Sequence, residues 1–441
     1  MLAGHSQDTL GFFVEVRTVD TFFLVVEGVG TLLLAIYLTY SLCALLTRAT
    51  AASRPERDTH FTFVIPALNE GAVIGATLRN LRALAPEARV VVIDDGSDDD
   101  TAGQVAALGA ADPGVTLLRR RPPHARTGKG EALNWGVAGL LRQGLLPPVP
   151  LEDQVLVVFD ADGRLDAGLL PEARRAFADP DVMAAQARIR VRQGGMGARG
   201  WRGWLGRLLL LQQDLEFYMV RHIQLLRQRA HTVGLGGNGQ FMRMSYLAGR
   251  VAAGEAPWPP VLLEDFASGL EVRLADPRHR LVFLESGVSQ QGLTDLRRFV
   301  RQRARWTHGN LQCAPALGRV WRTPMHPGAR LDLTYFLAQP WINLLTLGLL
   351  VYYPLRAAGR IVTGEVNWPL TLGLLALNLS LPLLWVRLYS RENGLSARRA
   401  AFATLGLPLY LLIMMCSVPL AFGNFWRGRH GWVKTARHAE A

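Results

Sequence analysis

Three acidic clusters in this 441-residue chain stand where carboxylates could do chemistry. Asp160-Ala161-Asp162 follows the apolar run VLVVF, and Asp94-Asp95-Gly96 follows VVVI. Paired carboxylates at the end of a buried strand offer hard oxygen ligands to a divalent cation. Solvated acidic turns look similar, so a lone D-x-D says little; two clusters placed alike in one domain favour a ligand site. The third cluster, Glu264-Asp265, closes another apolar stretch. It fits either a site or a helix N-terminus, where the dipole favours acids. Upstream, Gly234-Leu-Gly-Gly-Asn-Gly239 is glycine-dense enough to let a ligand approach the backbone, but it lacks the spacing of a dinucleotide fingerprint.

The elements that must position these clusters can be read from the pattern around them. Short runs rich in β-branched and aromatic residues (Phe61–Pro66, Arg89–Ile93, Val115–Leu118 and Val155–Phe159) alternate with helical patterns. That alternation predicts an α/β domain with a mainly parallel sheet and helices on both faces. Ligands of such sheets bind beyond the carboxyl ends of the strands, where both aspartate clusters fall. Further on, Leu293, Leu296, Val300 and Ala304 form a narrow apolar stripe flanked by Arg297, Arg298, Arg301, Arg303 and Arg305. This reads as a basic amphipathic helix lying on an anionic membrane surface.

Composition agrees with a membrane. Half of the chain (49%) is hydrophobic and only 19% charged, which excludes a disordered polymer. The three cysteines are odd in number and far apart, which excludes a disulfide scaffold or a cysteine zinc site. Four segments reach membrane-spanning length: Thr21–Leu46, Leu331–Leu355, Trp368–Leu388 and Ala400–Gly423. Glu27 interrupts the first, and Pro408 and Pro419 interrupt the last. Arg48, Arg54 and Arg57 follow the first segment, so the positive-inside tendency puts the intervening domain in the cytoplasm. Three further crossings would leave the tail outside, whereas Arg427, Arg429, Lys434 and Arg437 argue for inside, and the sequence leaves that parity open. The net charge of +12 and Arg119-Arg-Arg121 could suggest nucleic acid, but much of the arginine flanks membrane segments and no nucleic-acid motif is present, so no such partner is expected. Lys129 and Lys434 are the only lysines among 48 basic residues, which sets Lys129 apart within the soluble domain.

Taken in order, Asp94-Asp95-Gly96, Asp160-Ala161-Asp162, Glu264-Asp265 and Gln302-Arg-Ala-Arg305-Trp306 (a Q-x-x-R-W pattern) resemble the motifs of membrane-embedded family 2 glycosyltransferases. These are inverting GT-A enzymes that include cellulose, chitin, hyaluronan and poly-N-acetylglucosamine synthases. The likeness extends to Val64-Ile-Pro-Ala-Leu-Asn-Glu70, Gly128-Lys-Gly-Glu-Ala-Leu-Asn134, Gly309 and Gln312, and so covers the whole soluble domain. The sequence departs from the better-known synthases at Gly237-Asn-Gly-Gln-Phe241, where those often carry a cysteine-containing or aromatic motif near the acceptor.

The resemblance implies a GT-A fold with helical transmembrane segments and a nucleotide-diphosphate sugar donor. Asp94 and Asp95 would hold the nucleoside, and Asp162, helped by Asp160, would bind Mg2+ or Mn2+. Lys129 would sit near the phosphates, Arg305 would offer a planar cationic fork to the diphosphate, and Gln302 would hold the nucleotide side. Asp265 would be the general base, Glu264 its support, and Trp306 the platform for the acceptor sugar. Expected partners are the donor, a polysaccharide or lipid acceptor and membrane lipids, with room for an accessory subunit. The product would be a polysaccharide made from UDP-glucose or UDP-N-acetylglucosamine, processively and with export; the alternative is one transfer to a lipid of the ceramide or diacylglycerol type. The enzyme would be multi-pass in a bacterial inner membrane. Expected boundaries are a tail at 1–20, a transmembrane helix at 21–47, the catalytic domain at 61–290, interfacial helices at 291–330, about three transmembrane helices at 331–424 and a basic tail at 425–441.

Overall fold

A computed structural model describes residues 5–49, 55–194 and 200–428. The chain divides into two compact units, one formed by Met1–Leu46 with Trp341–Leu384, the other by Thr47–Pro340 with Trp385–Ala441.

The second unit is built on one sheet. Its strands are β1 (His60–Ala67), β2 (Arg89–Asp94), β3 (Val115–Arg119), β4 (Gln154–Val158), β5 (Arg164–Leu165), β6 (Val182–Arg192), β7 (Gln240–Arg243) and β8 (Arg280–Gln291). They lie in the order β3-β2-β1-β4-β7-β6-β8-β5. The four apolar runs expected as strands form the parallel half, with β1 paired to β2 and β4, and β2 to β3. Beyond β4 the sheet is mixed: β7 runs antiparallel to β4 and β6, and β8 runs parallel to β6.

Burial on both faces explains why these strands read as continuous apolar runs. Side chains alternate across the pleat: Phe61, Phe63 and Ile65 of β1 join Val90, Val92, Val155 and Val157 in one core. Val64 joins Val91, Ile93, Leu156 and Val158 in the other. The chain leaves β1 toward β2 and β3 and then returns to β1's other side with β4. The carboxyl ends of β1, β2 and β4 therefore border a switch point, the usual ligand crevice of such sheets.

Among the described residues four helices are long and apolar enough to cross a membrane: Thr21–Leu46, Pro327–Thr363, Thr371–Glu392 and Ala397–Trp426. In the first unit the helix His5–Leu46 begins well ahead of its apolar stretch. Glu27, which interrupts that stretch, pairs with Arg360 at 3.5 Å, and Tyr353 lies against Gly30. The last of the four helices is the most buried, and it breaks at Cys416 into Ala397–Met415 and Ser417–Trp426. Pro408 is accommodated inside its first part, which packs on the helix Gly200–Gln228. The second part packs on the arginine-rich helix Leu296–Cys313. Arg54 and the tail cations Arg429, Lys434 and Arg437 lie outside the described residues.

Candidate active site

The end of β2 presents Asp94 and Asp95 already engaged. Asp94 is fully buried; its Oδ1 accepts the Ser97 N–H at 2.9 Å and its Oδ2 faces Arg119 Nε at 3.3 Å. Asp95 Oδ1 accepts from the buried Arg120 Nη1 at 2.6 Å. Arg120 Nη2 in turn donates to the His124 carbonyl at 2.6 Å, tying down the basic loop before Lys129. Burial pushes the Asp95 carboxyl up, opposed by a backbone N–H from Arg126 and by Arg120. Arg119 and Arg120 of the arginine triplet thus supply counterions within the site.

At the end of β4, the Asp160 N–H donates to Asn238 Oδ1 at 3.1 Å, and its Oδ1 accepts from Lys129 Nζ at 2.6 Å. Asp162 is buried, and its Oδ2 accepts the Gln291 N–H from the end of β8 at 2.7 Å. Among the described residues no three His, Cys, Asp or Glu side chains cluster as a metal cage. Two carboxylates at a strand end are nonetheless the donor set of a cation that takes its other ligands from substrate phosphates and water, the usual habit of Mg2+ sites.

Glu264 and Asp265 open the helix Glu264–Ala275, as the helix-terminus reading allowed. Burial pushes the Glu264 carboxyl up to about 7, Asp265 adds to this, and Lys129 and Arg305 oppose it. Burial likewise raises Asp265 against the pull of Lys129, the Phe266 N–H and Arg305. Lys129, the first residue of the helix Lys129–Arg142, is the shared cation. Burial works against its charge, yet Asp160, Glu264 and Asp265 together hold its ammonium above the usual range. Lys129, Asp160, Glu264 and Asp265 are thereby brought into one cluster of three carboxylates around one ammonium.

Two features of this cluster escaped the sequence reading, although their signal was present. Gly237 lies directly against it: a Cβ there would stand 2.8 Å from Asp265 Oδ2 and 3.3 Å from Lys129 Nζ, and its φ is +82°. Both the space and the backbone therefore require glycine. Its neighbour Asn238 bridges Asp160 to β8 by donating to Gln290 Oε1 at 3.0 Å. The glycine-dense stretch is a floor for the acidic cluster.

The helix Leu296–Cys313 grips the loop that enters the acidic pair. Gln312 Oε1 accepts the Leu262 N–H at 2.8 Å, and Arg305 Nη1 donates to the Leu262 carbonyl at 2.9 Å. A side chain at Gly309 would collide with Leu263, its Cβ 2.5 Å from the backbone nitrogen. Gln302 and Trp306 are half-exposed on the same helix. His308 is buried within the same helix, with its ring against Phe425. Leu296, expected on the apolar stripe, is exposed, and the buried face of the helix runs instead through Phe299, Arg303, Ala304 and His308.

A family profile described as Glycosyl transferase family 2 matches residues 62–247, and one described as Glycosyl transferase family group 2 matches residues 155–424, more than half of the chain. The undecaprenyl-phosphate mannosyltransferase of Micrococcus luteus is 32% identical over 126 residues, 29% of this chain and 47% of that protein. An uncharacterised protein of Methanocaldococcus jannaschii is 34% identical over 101 residues, 23% of this chain and 35% of that protein. The chain thus spans less than half the length of these curated relatives. A solved mannosyltransferase from Pyrobaculum calidifontis, in complex with GDP-Man and Mn2+, superposes with a TM-score of 0.55 at 16% identity, covering 92% of this chain and 98% of that one. This likeness extends to the fold alone. With a GT-A-like sheet, apolar helices of membrane length and the two profile matches, the chain belongs to glycosyl transferase family group 2.

Proposed function

We propose that the chain transfers a hexosyl unit from a nucleotide-diphosphate sugar to an acceptor hydroxyl at the cytoplasmic face of a bacterial membrane, inverting the anomeric centre. The observation that carries this reading is the pair of the buried Glu264 and the half-buried Asp265 beside Lys129, which donates to Asp160. Asp265 takes the proton of the acceptor hydroxyl as that oxygen attacks the anomeric carbon from the face opposite the diphosphate. Its raised basicity suits a neutral hydroxyl, and Glu264 holds a second negative charge beside it that favours uptake of that proton. Asp94 and Asp95 hold the nucleoside end, with Arg119 and Arg120 fixing their carboxylates. Gln302 lies on the nucleotide side, and Trp306 offers a ring face to the acceptor sugar.

Asp162 and Asp160 would hold Mg2+ or Mn2+, which supplies electrophilic help to the departing diphosphate when bound. Lys129, now on Asp160, is placed to add a point charge to the same phosphates. Arg305 serves the acidic pair first, through the Leu262 carbonyl, and the diphosphate second.

For the product we keep a polysaccharide, made processively from UDP-glucose or UDP-N-acetylglucosamine and exported. The second reading is a single transfer to a lipid, supported by the name of the Micrococcus luteus relative and by the GDP-Man in the Pyrobaculum calidifontis structure. The carboxylate pair supports a hydroxyl over a lipid phosphate, because a phosphate oxygen is already ionised, needs no base and is repelled by two carboxylates. The test offers labelled UDP- and GDP-sugars with Mg2+ or Mn2+ to membranes carrying the wild type or Asp265→Asn. One donor is expected to be incorporated, with a loss of roughly 10²–10⁴-fold in the variant. Undiminished incorporation by the variant overturns the mechanism, and a single mono-glycosylated lipid overturns the polymer reading.

A further inference from the structure

The arginines of the helix Leu296–Cys313 do not all face a membrane surface. Arg303 is only 4% exposed. Its guanidinium lies 4.3 Å from the centre of the Trp306 ring and 4.9 Å from that of Phe299. Arg303 Nη1 donates to Glu216 Oε1 at 2.7 Å, and the other oxygen of Glu216 accepts the hydroxyl of Tyr410. Glu216 belongs to the helix Gly200–Gln228 and Tyr410 to the apolar helix Ala397–Met415. The Phe299 ring closes the arrangement, 5.4 Å from that of Tyr410. Among the described residues Arg303 Nε has no hydrogen-bond partner. The guanidinium therefore spends its planar face on two aromatic rings and one edge on a carboxylate, a combination an ammonium cannot reproduce.

We propose that Arg303 is a positioning residue: clamped by Glu216 and Tyr410, it sets the plane of the Trp306 ring. The inference rests on the reading of Trp306 as the acceptor platform. Arg303 and Trp306 are three residues apart, on one side of the helix, so a cation held still beneath the ring fixes the indole without touching the sugar. A sugar stacks only on a ring face at the right tilt, so the clamp governs acceptor affinity rather than donor affinity. It also links the acceptor platform to an apolar helix of membrane-spanning length, so displacement of Tyr410 by lipid or product is felt at Trp306.

Two measurements test this in the full-length protein. The first is the near-UV circular dichroism of Trp306, taken as the difference between each background and its Trp306→Phe partner. This signal is expected to collapse in Arg303→Leu, to be altered in Arg303→Lys, and to weaken in the milder Tyr410→Phe, which keeps the fold if the arginine variants do not. An unchanged Trp306 signal across these backgrounds overturns the proposal. The second is kinetic, with cellobiose, chitobiose and mannobiose as soluble acceptor probes. Arg303→Lys is expected to raise the acceptor KM by roughly tenfold while the donor KM moves less than about twofold. A fall in kcat with an unchanged acceptor KM overturns the proposal. If Trp306→Phe itself leaves transfer untouched, the platform reading fails, while the coupling of Arg303 to the ring still stands or falls on the difference spectrum.

Discussion

Two pairs of adjacent carboxylates, Asp94-Asp95 and Glu264-Asp265, lie largely out of water, with Asp265 the most exposed of the four, yet their charges are met differently. At the end of β2 each carboxylate has its own arginine, Arg119 for Asp94 and Arg120 for Asp95, and further backbone N–H donors. At the start of the helix Glu264–Ala275, two carboxylates and Asp160 share Lys129, with Arg305 near but bonded to a backbone carbonyl. The first pair is matched arginine by arginine, although burial still leaves the Asp95 carboxyl raised. The second shares one ammonium among three carboxylates, and burial raises the basicity of both Glu264 and Asp265, as a general base requires.

The comparison can be broken most severely at the arginine-matched pair. Arg120→Leu leaves Asp95 buried without its partner and is expected to cost about 3–5 kcal/mol, read as a fall in Tm. Adding Asp95→Asn to that variant should recover part of the loss. A variant as stable as the wild type would mean that the first pair is no better matched than the second.

The opposite sign is expected at the pair that shares Lys129. The folded carboxyl of Glu264 titrates above its ordinary value of 4.5, at about 7. Its protonated form therefore stabilises the fold below pH 4.5, and this contribution is lost as the pH rises through about 7. Glu264→Gln keeps a neutral side chain at every pH. At pH 8 it should be more stable than the wild type by about 1–3 kcal/mol, and near pH 4.5 the two should coincide. Unfolding curves at both values check this; a destabilised variant at pH 8 would show that the ionised carboxylate is well paired after all.

The smallest effect is a displacement on the pH axis. The base must be ionised, so activity falls as the pH drops through the raised range of the pair. Lys129 pulls both carboxyls downward, so Lys129→Met should move the acidic limb of kcat/KM to higher pH. A limb that stays in place would remove Lys129 from the electrostatics of the base.

Much of the fold was legible because burial on both faces leaves a local trace. The runs around Phe61, Val90, Val115 and Val155 became β1 to β4 in register and parallel, with Asp94 and Asp160 at their carboxyl ends. The mixed half was harder to read. β5 is two residues long and β7 four, too short to show a period, and their partners lie far away in the chain. The apolar helices of membrane-spanning length were legible by length, although the last one packs much of its surface on neighbouring helices of its own unit.

For the site, the order of the acidic clusters and the Q-x-x-R-W pattern, through the family they resemble, nominated Asp94, Asp95, Lys129, Asp160, Asp162, Glu264, Asp265, Gln302, Arg305 and Trp306. Chemistry of this kind needs particular side chains at strand ends and helix starts, and such local contexts are written in neighbouring residues. Which carboxylate has its own arginine and which shares a lysine was decided only by tertiary structure. Arg119 and Arg303 look alike in a chain of many arginines, but one faces Asp94 and the other is buried between Trp306 and Glu216. Electrostatic energy depends on distance and on exclusion of water, and neither is a property of sequence spacing once the partners come from different elements.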